Sequence, residues 1–253
     1  MYPEILKLGP ISIYSYGLML GIAFITASYL FTQELKRVNL NPNIASEVTM
    51  IALICGIIGA KMFHVFEYWE EFLADPMMAI SPAGLTFYGG FLLATLAIFI
   101  YIRRKKIPFL KIADLNAPGL ALAYGIARIG CHLSGDGDYG ISSNLPWAYS
   151  YVNGTVPTPP GVTVHPTPIY ELIAGILIFV FLWSRRKKYD VNGKLFAMYL
   201  ILTAVSRFLV EIIRINPRIY LGLSEAQIIS IVLFAAGVAA MFLLKRKVQT
   251  TNI

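Results

Sequence analysis

Residues 128–140 read Arg-Ile-Gly-Cys-His-Leu-Ser-Gly-Asp-Gly-Asp-Tyr-Gly, and they end an apolar run that begins near residue 113. The fold turns on whether that run lies in lipid. An arginine at a bilayer centre costs about 2.5–3.5 kcal/mol on insertion scales, so a guanidinium kept in such a segment is a functional-site expectation by default. Outward from it, apolar stretches near 13–32, 47–67, 85–102, 168–184, 194–213 and 225–244 are each long enough to span a hydrocarbon core, which takes about 20 helical residues. Together with 113–133 they predict an all-α, polytopic membrane protein with seven transmembrane helices. Their even spacing and the lack of a dividing linker or internal repeat predict one helical domain over 1–253, with a longer external loop near 134–167.

The net charge of +7 gathers at alternate ends of these spans: Lys36-Arg37, Arg103 to Lys106 with Lys111, Arg185 to Lys188 with Lys194, and Lys245 to Lys247. The intervening segments read the opposite way, since 68–84 holds Glu70, Glu71 and Asp75, and 134–167 holds no lysine or arginine. This asymmetry is the positive-inside pattern and puts the N-terminus outside and the C-terminus inside. It also argues against nucleic acid as a partner, because a nucleic-acid footprint gathers basic residues on one patch. With no basic n-region ahead of it, the first span is read as a retained anchor. Cys55 and Cys131 both fall within spans, which suggests no disulfide framework.

Given that orientation, depth follows from the helical rise of about 1.5 Å per residue. Arg128 sits about 8 Å, and Arg207 about 9 Å, below the outer end of its span. Two arginines at one level predict an anionic partner there, and the planar guanidinium fork suits phosphate. The alternative is pairing within the bundle: Arg207, Glu211 and Arg214 have the four- and three-residue spacing of a salt-bridged helix face, and Asp136 is placed to fold back onto Arg128. At the same outer level lie Tyr16, Tyr88 with Gly89 and Gly90, His165, Tyr170 and Glu171. Lys61 is expected to snorkel outward or to pair with Glu67. Asp136 and Asp138 resemble the start of a calcium loop, but the remaining ligands are missing, so no metal is expected.

In order and spacing these motifs resemble the prolipoprotein diacylglyceryl transferase family, over nearly the whole chain. They are Leu8-Gly-Pro10 with Tyr16-Gly-Leu-Met19, Gly59-Ala-Lys61, Tyr88-Gly-Gly90, and the 128–140 segment. They continue with His165-Pro-Thr-Pro-Ile-Tyr-Glu171, Arg207-Phe-Leu-Val-Glu211 with Arg214, and Ser224-Glu-Ala-Gln227. The resemblance implies transfer of diacylglycerol from phosphatidylglycerol to the lipobox cysteine thiol of a secreted prolipoprotein. It implies a bacterial inner (cytoplasmic) membrane location, a site facing the outer leaflet, and no cofactor. It also implies roles: Arg128, Arg207 and Tyr88 catalytic, with Tyr16, Gly89, Gly90, Ser134, Asp136, Gly140 and Glu211 binding substrate.

The chain departs from the family pattern at several places. Tyr88 stands where members usually have histidine, Cys131 and Ser134 replace asparagines, and Thr203 takes a position that is commonly tyrosine. Gly137-Asp138 lengthens the signature by one residue. A phenol with a pKa near 10 is a weak base at neutral pH. These departures motivate an alternative, a divergent member that binds lipid or peptide without standard transfer.

Overall fold

The computed structural model describes residues 1–8, 11–81, 84, 86–188 and 191–251. Gly9 and Pro10 of the first motif, and Leu85 at the start of the third expected span, lie outside the described residues, as do the side chains of Lys245–Lys247. The described chain opens with two antiparallel strands, β1 (Glu4–Leu8) and β2 (Ile11–Tyr14), which the apolar pattern had not announced. Helices follow: α1 (Ser15–Arg37), α2 (Asn43–Glu67), α3 (Trp69–Ala74), a 3-10 turn at Pro76–Ala79, α4 (Phe87–Arg104) and α5 (Phe109–Ser134). The rest are α6 (Thr167–Arg185), α7 (Lys194–Ile213) and α8 (Glu225–Thr251).

The chain is therefore mostly helical, and α1, α2, α6, α7 and α8 are long and apolar enough to cross a membrane. The stretches expected as the third and fourth spans are helical, as α4 and α5, but neither is among those five. Helix α4 ends on Arg103-Arg104 after 18 residues, and α5 carries Pro118 within it. Several helices outrun the apolar stretches: α1 continues through Lys36-Arg37, where cations at a C-terminal turn oppose the negative end of the helix dipole.

The residues group into two compact units, one comprising 1–31 with 113–253 and the other 32–112. In the second, α4 lies on α2 through glycines. A Cβ at Gly90 would stand 2.6 Å from the Gly56 carbonyl oxygen, and one at Gly59 2.5 Å from the Gly89 carbonyl oxygen, so neither helix tolerates a side chain at the crossing. Thr86, just before α4, donates to Glu67, the last residue of α2, at 3.0 Å. Lys61, expected to snorkel or to pair with that glutamate, donates to the Gly84 carbonyl at 3.4 Å.

In the first unit a cluster of Ala117, Ala121, Ile178, Leu182 and Leu195 packs α5, α6 and α7 together. Two polar devices set the helix starts. Ser224 and Gln227 form a capping box at α8: the Ser224 amide donates to Gln227 Oε1 at 3.1 Å and the Gln227 amide to Ser224 Oγ at 3.3 Å. Helix α7 takes its cap from another helix, because Asp114 on α5 accepts from the Gly193 amide at 2.6 Å and the Phe196 amide at 2.7 Å. Replacing a capping carboxylate costs about 0.5–2 kcal/mol. Asp114→Ala is expected to lower the free energy of unfolding in detergent by that amount, while Asp114→Asn, which still accepts, loses less.

Candidate active site

Helices α5 and α6 meet at Gly125 and Gly175, where a Cβ on Gly175 would stand 2.9 Å from the Ala121 carbonyl oxygen and 3.0 Å from the Gly125 Cα. That approach sets Tyr124 and Arg128, one turn apart on α5, against Glu171 in the first turns of α6. Glu171 is 1% exposed. Its Oε1 accepts from the Tyr124 hydroxyl at 2.5 Å and from Arg207 Nη1, and its Oε2 lies 3.2 Å from Arg128 Nε. The Arg128 guanidinium also rests 4.8 Å from the centre of the Tyr124 ring.

Helix α7 supplies the other side. Arg207 pairs with Glu211 one turn on, at 3.3 Å, and Arg214 follows the helix end with ion-pair contacts of 3.7 Å to both Glu211 and Glu171. The chain beyond α7 is held by an antiparallel bridge between Arg214 and Gly140. A Cβ at Gly140 would stand 2.7 Å from the Ile213 carbonyl oxygen, so the bridge requires glycine. Glu211 is fully buried and is fixed from its far side by Asn216 at 2.6 Å and Ser224 at 2.9 Å.

Asp138 closes the network by pairing with both Arg128 and Arg214. Three arginines thus interlock with three carboxylates, and the six charges cancel. Among the described residues, Arg214 Nε and Nη1 find no hydrogen-bond partner although the residue is 5% exposed. The pairing within α7 that the spacing predicted is present, and the acid that folds back to Arg128 is Asp138. The sequence pointed to Asp136, one glycine earlier.

Electrostatics separates those two aspartates. Burial pushes the Asp136 carboxyl up, against hydrogen bonds from the Cys131 side chain and from the backbone amide of Asp138 at 3.2 Å. Burial also acts on Asp138, but Arg214 and then Arg128 outweigh it and hold that carboxyl below its ordinary value. A carboxylate with a lowered folded pKa contributes stability that is complete above its unfolded value, near 3.9, and is lost as pH falls through the lowered one. Breaking a buried pair costs about 3–5 kcal/mol. Asp138→Asn is expected to lose roughly the lower end of that at pH 7 and to show a flatter acid limb in pH-dependent melting. Asp136→Asn is expected to be neutral or slightly stabilising, because the charge it removes is one that burial disfavours.

The other expected residues divide between the two units. Tyr16, on α1, is about half exposed, and its Cα would stand 3.1 Å from a Cβ at Gly130 of the signature. Ser134 is buried and donates to the Cys131 carbonyl at 3.2 Å, finishing α5. Cys131 is 5% exposed, with its sulfur 3.6 Å from Arg128 Nη1. Its thiol and the carboxylates of Asp136 and Asp138 lie within 4.8 Å of one another. Arg128 and Arg214 occupy both Asp138 oxygens, however, and their charge repels a cation.

His132 pairs through Nδ1 with the Tyr151 hydroxyl at 2.8 Å, inside an aromatic cluster with Tyr139 and Tyr149 in the 134–167 loop. Thr203 turns its hydroxyl to the Tyr199 carbonyl of its own helix at 2.7 Å. Tyr88, Gly89 and Gly90 belong to the other unit, at the start of α4, where the two glycines serve the crossing with α2.

The model of the prolipoprotein diacylglyceryl transferase family matches residues 3–243. Proteins called phosphatidylglycerol–prolipoprotein diacylglyceryl transferase in Leptospira interrogans and Dehalococcoides mccartyi are each 30% identical to the chain. The first alignment covers 94% of the chain and 92% of the relative, the second 99% and 97%. A protein of the same name in Corynebacterium glutamicum is 32% identical over 96% of the chain and 83% of its own length.

Proposed function

This chain belongs to the prolipoprotein diacylglyceryl transferase family, and we propose from that premise that it moves diacylglycerol from phosphatidylglycerol to the lipobox cysteine of a secreted prolipoprotein. It is a bacterial membrane enzyme, and the reading adds seven spans, an outside N-terminus, an inside C-terminus, one functional domain over 1–253, and an inner-membrane site open to the outer leaflet. The charge asymmetry between successive loops supports that orientation.

The observation that carries the proposal is the family match over residues 3–243. The ion-pair network, in which Arg128, Arg207 and Arg214 are all drawn onto Glu171, is the within-bundle pairing that the spacing offered as the alternative, and in this reading it is the frame that holds the guanidinium groups. In the reaction the cysteine sulfur bonds to the glycerol carbon of the lipid, and its proton passes to water or onto the departing glycerol phosphate. The bond from that carbon to the phosphate oxygen breaks, its electron pair stays on the leaving oxygen, and glycerol phosphate departs. A phosphodiester carrying one negative charge becomes a phosphomonoester approaching two. Fixed guanidinium donors around the phosphate stabilise that added charge most in the transition state.

Arg128 and Arg207 are assigned to the phosphate, and Glu171, Glu211 and Asp138 hold the guanidinium planes so that no reorganisation is needed when charge builds. Tyr16 and Asp136 are assigned to the head group and peptide, with Gly140 and Ser134 shaping the wall. For Gly89 and Gly90 the support is the family motif; Tyr88 departs from that motif, and its catalytic assignment rests on its position alone.

The test supplies purified protein in vesicles with phosphatidylglycerol and a lipobox peptide, and mass spectrometry follows the peptide. A diacylglyceryl adduct on the cysteine is the expected result. No adduct from folded protein would overturn the transferase reading in favour of a member that binds lipid or peptide without transfer.

A further inference from the structure

Tyr124 stands outside the family motifs that the sequence displays, yet it touches two members of the network at once. Its hydroxyl donates to Glu171 Oε1 at 2.5 Å, the same oxygen that accepts from Arg207 Nη1. Its ring lies under the Arg128 guanidinium, 4.8 Å from Cζ. One side chain therefore constrains the direction in which the Glu171 carboxylate faces and the plane in which Arg128 lies.

The spacing makes this double contact possible. Tyr124 and Arg128 are four residues apart, hence stacked on one face of α5. Gly125, the next residue, lets α6 pack closely on α5, so the phenol reaches a carboxylate on the neighbouring helix. Glu171 Oε2, by contrast, has ion-pair contacts at 3.2 and 3.7 Å but no aligned hydrogen bond. The carboxylate's orientation is thus fixed chiefly through Oε1, by Tyr124 and Arg207.

We infer that Tyr124 is a positioning residue for the transfer reaction, acting through Glu171 and Arg128 to hold the paired guanidinium groups in register with the phosphate. The inference rests on the transferase reading above. In this role Tyr124 acts through its contacts with Glu171 and Arg128 and not on the reacting atoms. Its hydrogen bond is to an ionised partner, and such bonds contribute about 1.5–3 kcal/mol, or about 10- to 100-fold in a rate that depends on them. Small displacements of reacting groups have effects of the same order.

The experiment measures kcat and KM for phosphatidylglycerol in the vesicle assay, beside the thermal midpoint, for wild type, Tyr124→Phe and Tyr124→Leu. Tyr124→Phe keeps the ring under Arg128 and removes only the hydroxyl. It is expected to lower kcat per folded enzyme about tenfold, with KM within about twofold, and to lower the midpoint as well while the protein stays folded at the assay temperature, because the same hydrogen bond supports the fold. Tyr124→Leu removes the ring as well and is expected to lower kcat about a further tenfold. Wild-type kcat in Tyr124→Phe would overturn the inference, as would a loss explained by a matching fall in folded protein. A wild type that forms no adduct would instead overturn the transferase reading and this inference with it, so the two failures are distinguishable.

Discussion

Arg128→Lys and Arg207→Lys are each expected to fold and to lose about 10²- to 10³-fold in kcat, the scale seen when one preorganised donor to a developing oxyanion is removed. Lysine keeps the positive charge, so Glu171, Asp138 and Glu211 are not left facing an empty place. What it cannot keep is the fork. Arg128 meets Asp138 through Nη1 and Glu171 through Nε, while Arg207 meets Glu171 through Nη1 and Glu211 through Nη2. An ammonium is a single point, which must choose between two carboxylates and has no planar face left for a phosphate. Initial rates of adduct formation beside the thermal midpoint separate the two effects. Alanine at either position is a poorer test, because a buried carboxylate without its partner costs about 3–5 kcal/mol and mixes unfolding with lost chemistry. Wild-type rates in both lysine variants would remove Arg128 and Arg207 from the phosphate.

Much of this arrangement is legible in the chain before any coordinates. Arg128 and Arg207 each stand six residues before the end of their helix, and that equal depth is why both reach Glu171. The spacing of Arg207, Glu211 and Arg214 gave their mutual pairing directly. Glu171 was visible only as a polar residue at the right level, since nothing along one helix tells which face of another it will meet. The choice of Asp138 over Asp136 was out of reach for a different reason. Gly135 and Gly137 adopt φ of 59° and 92°, so the backbone reverses around each acid and side-chain direction no longer follows from spacing. Tyr124 could have been found by looking one turn back from Arg128 on the same face. The opening strands had alternation too short to stand out against the apolar helices that follow.

Glu171→Gln is expected to be the most damaging conservative change in the protein, because Glu171 is the carboxylate that Arg128, Arg207 and Arg214 share. Glutamine has nearly the same shape, so packing is preserved and the change isolates charge. With Glu171 neutral, three guanidinium groups face only Asp138 and Glu211, and one positive charge is left uncompensated at a site that is 1% exposed. Removing one partner of a buried network costs about 3–5 kcal/mol. With its oxygen in the place of Oε1, Gln keeps the hydrogen bonds from Tyr124 and Arg207, but its N–H₂ then stands in the place of Oε2 and faces the guanidinium groups of Arg128 and Arg214, donor against donor. Denaturant unfolding in detergent is expected to show the loss, and adduct formation to fall by more than the fraction unfolded explains. The charge account makes a sharper demand on Glu171→Gln/Arg214→Gln, which restores neutrality: the double variant should be more stable than the sum of the two singles by about 0.5–3 kcal/mol. Strict additivity, or a Glu171→Gln protein that melts and turns over like wild type, would show that Glu171 is not the centre on which the arginines depend.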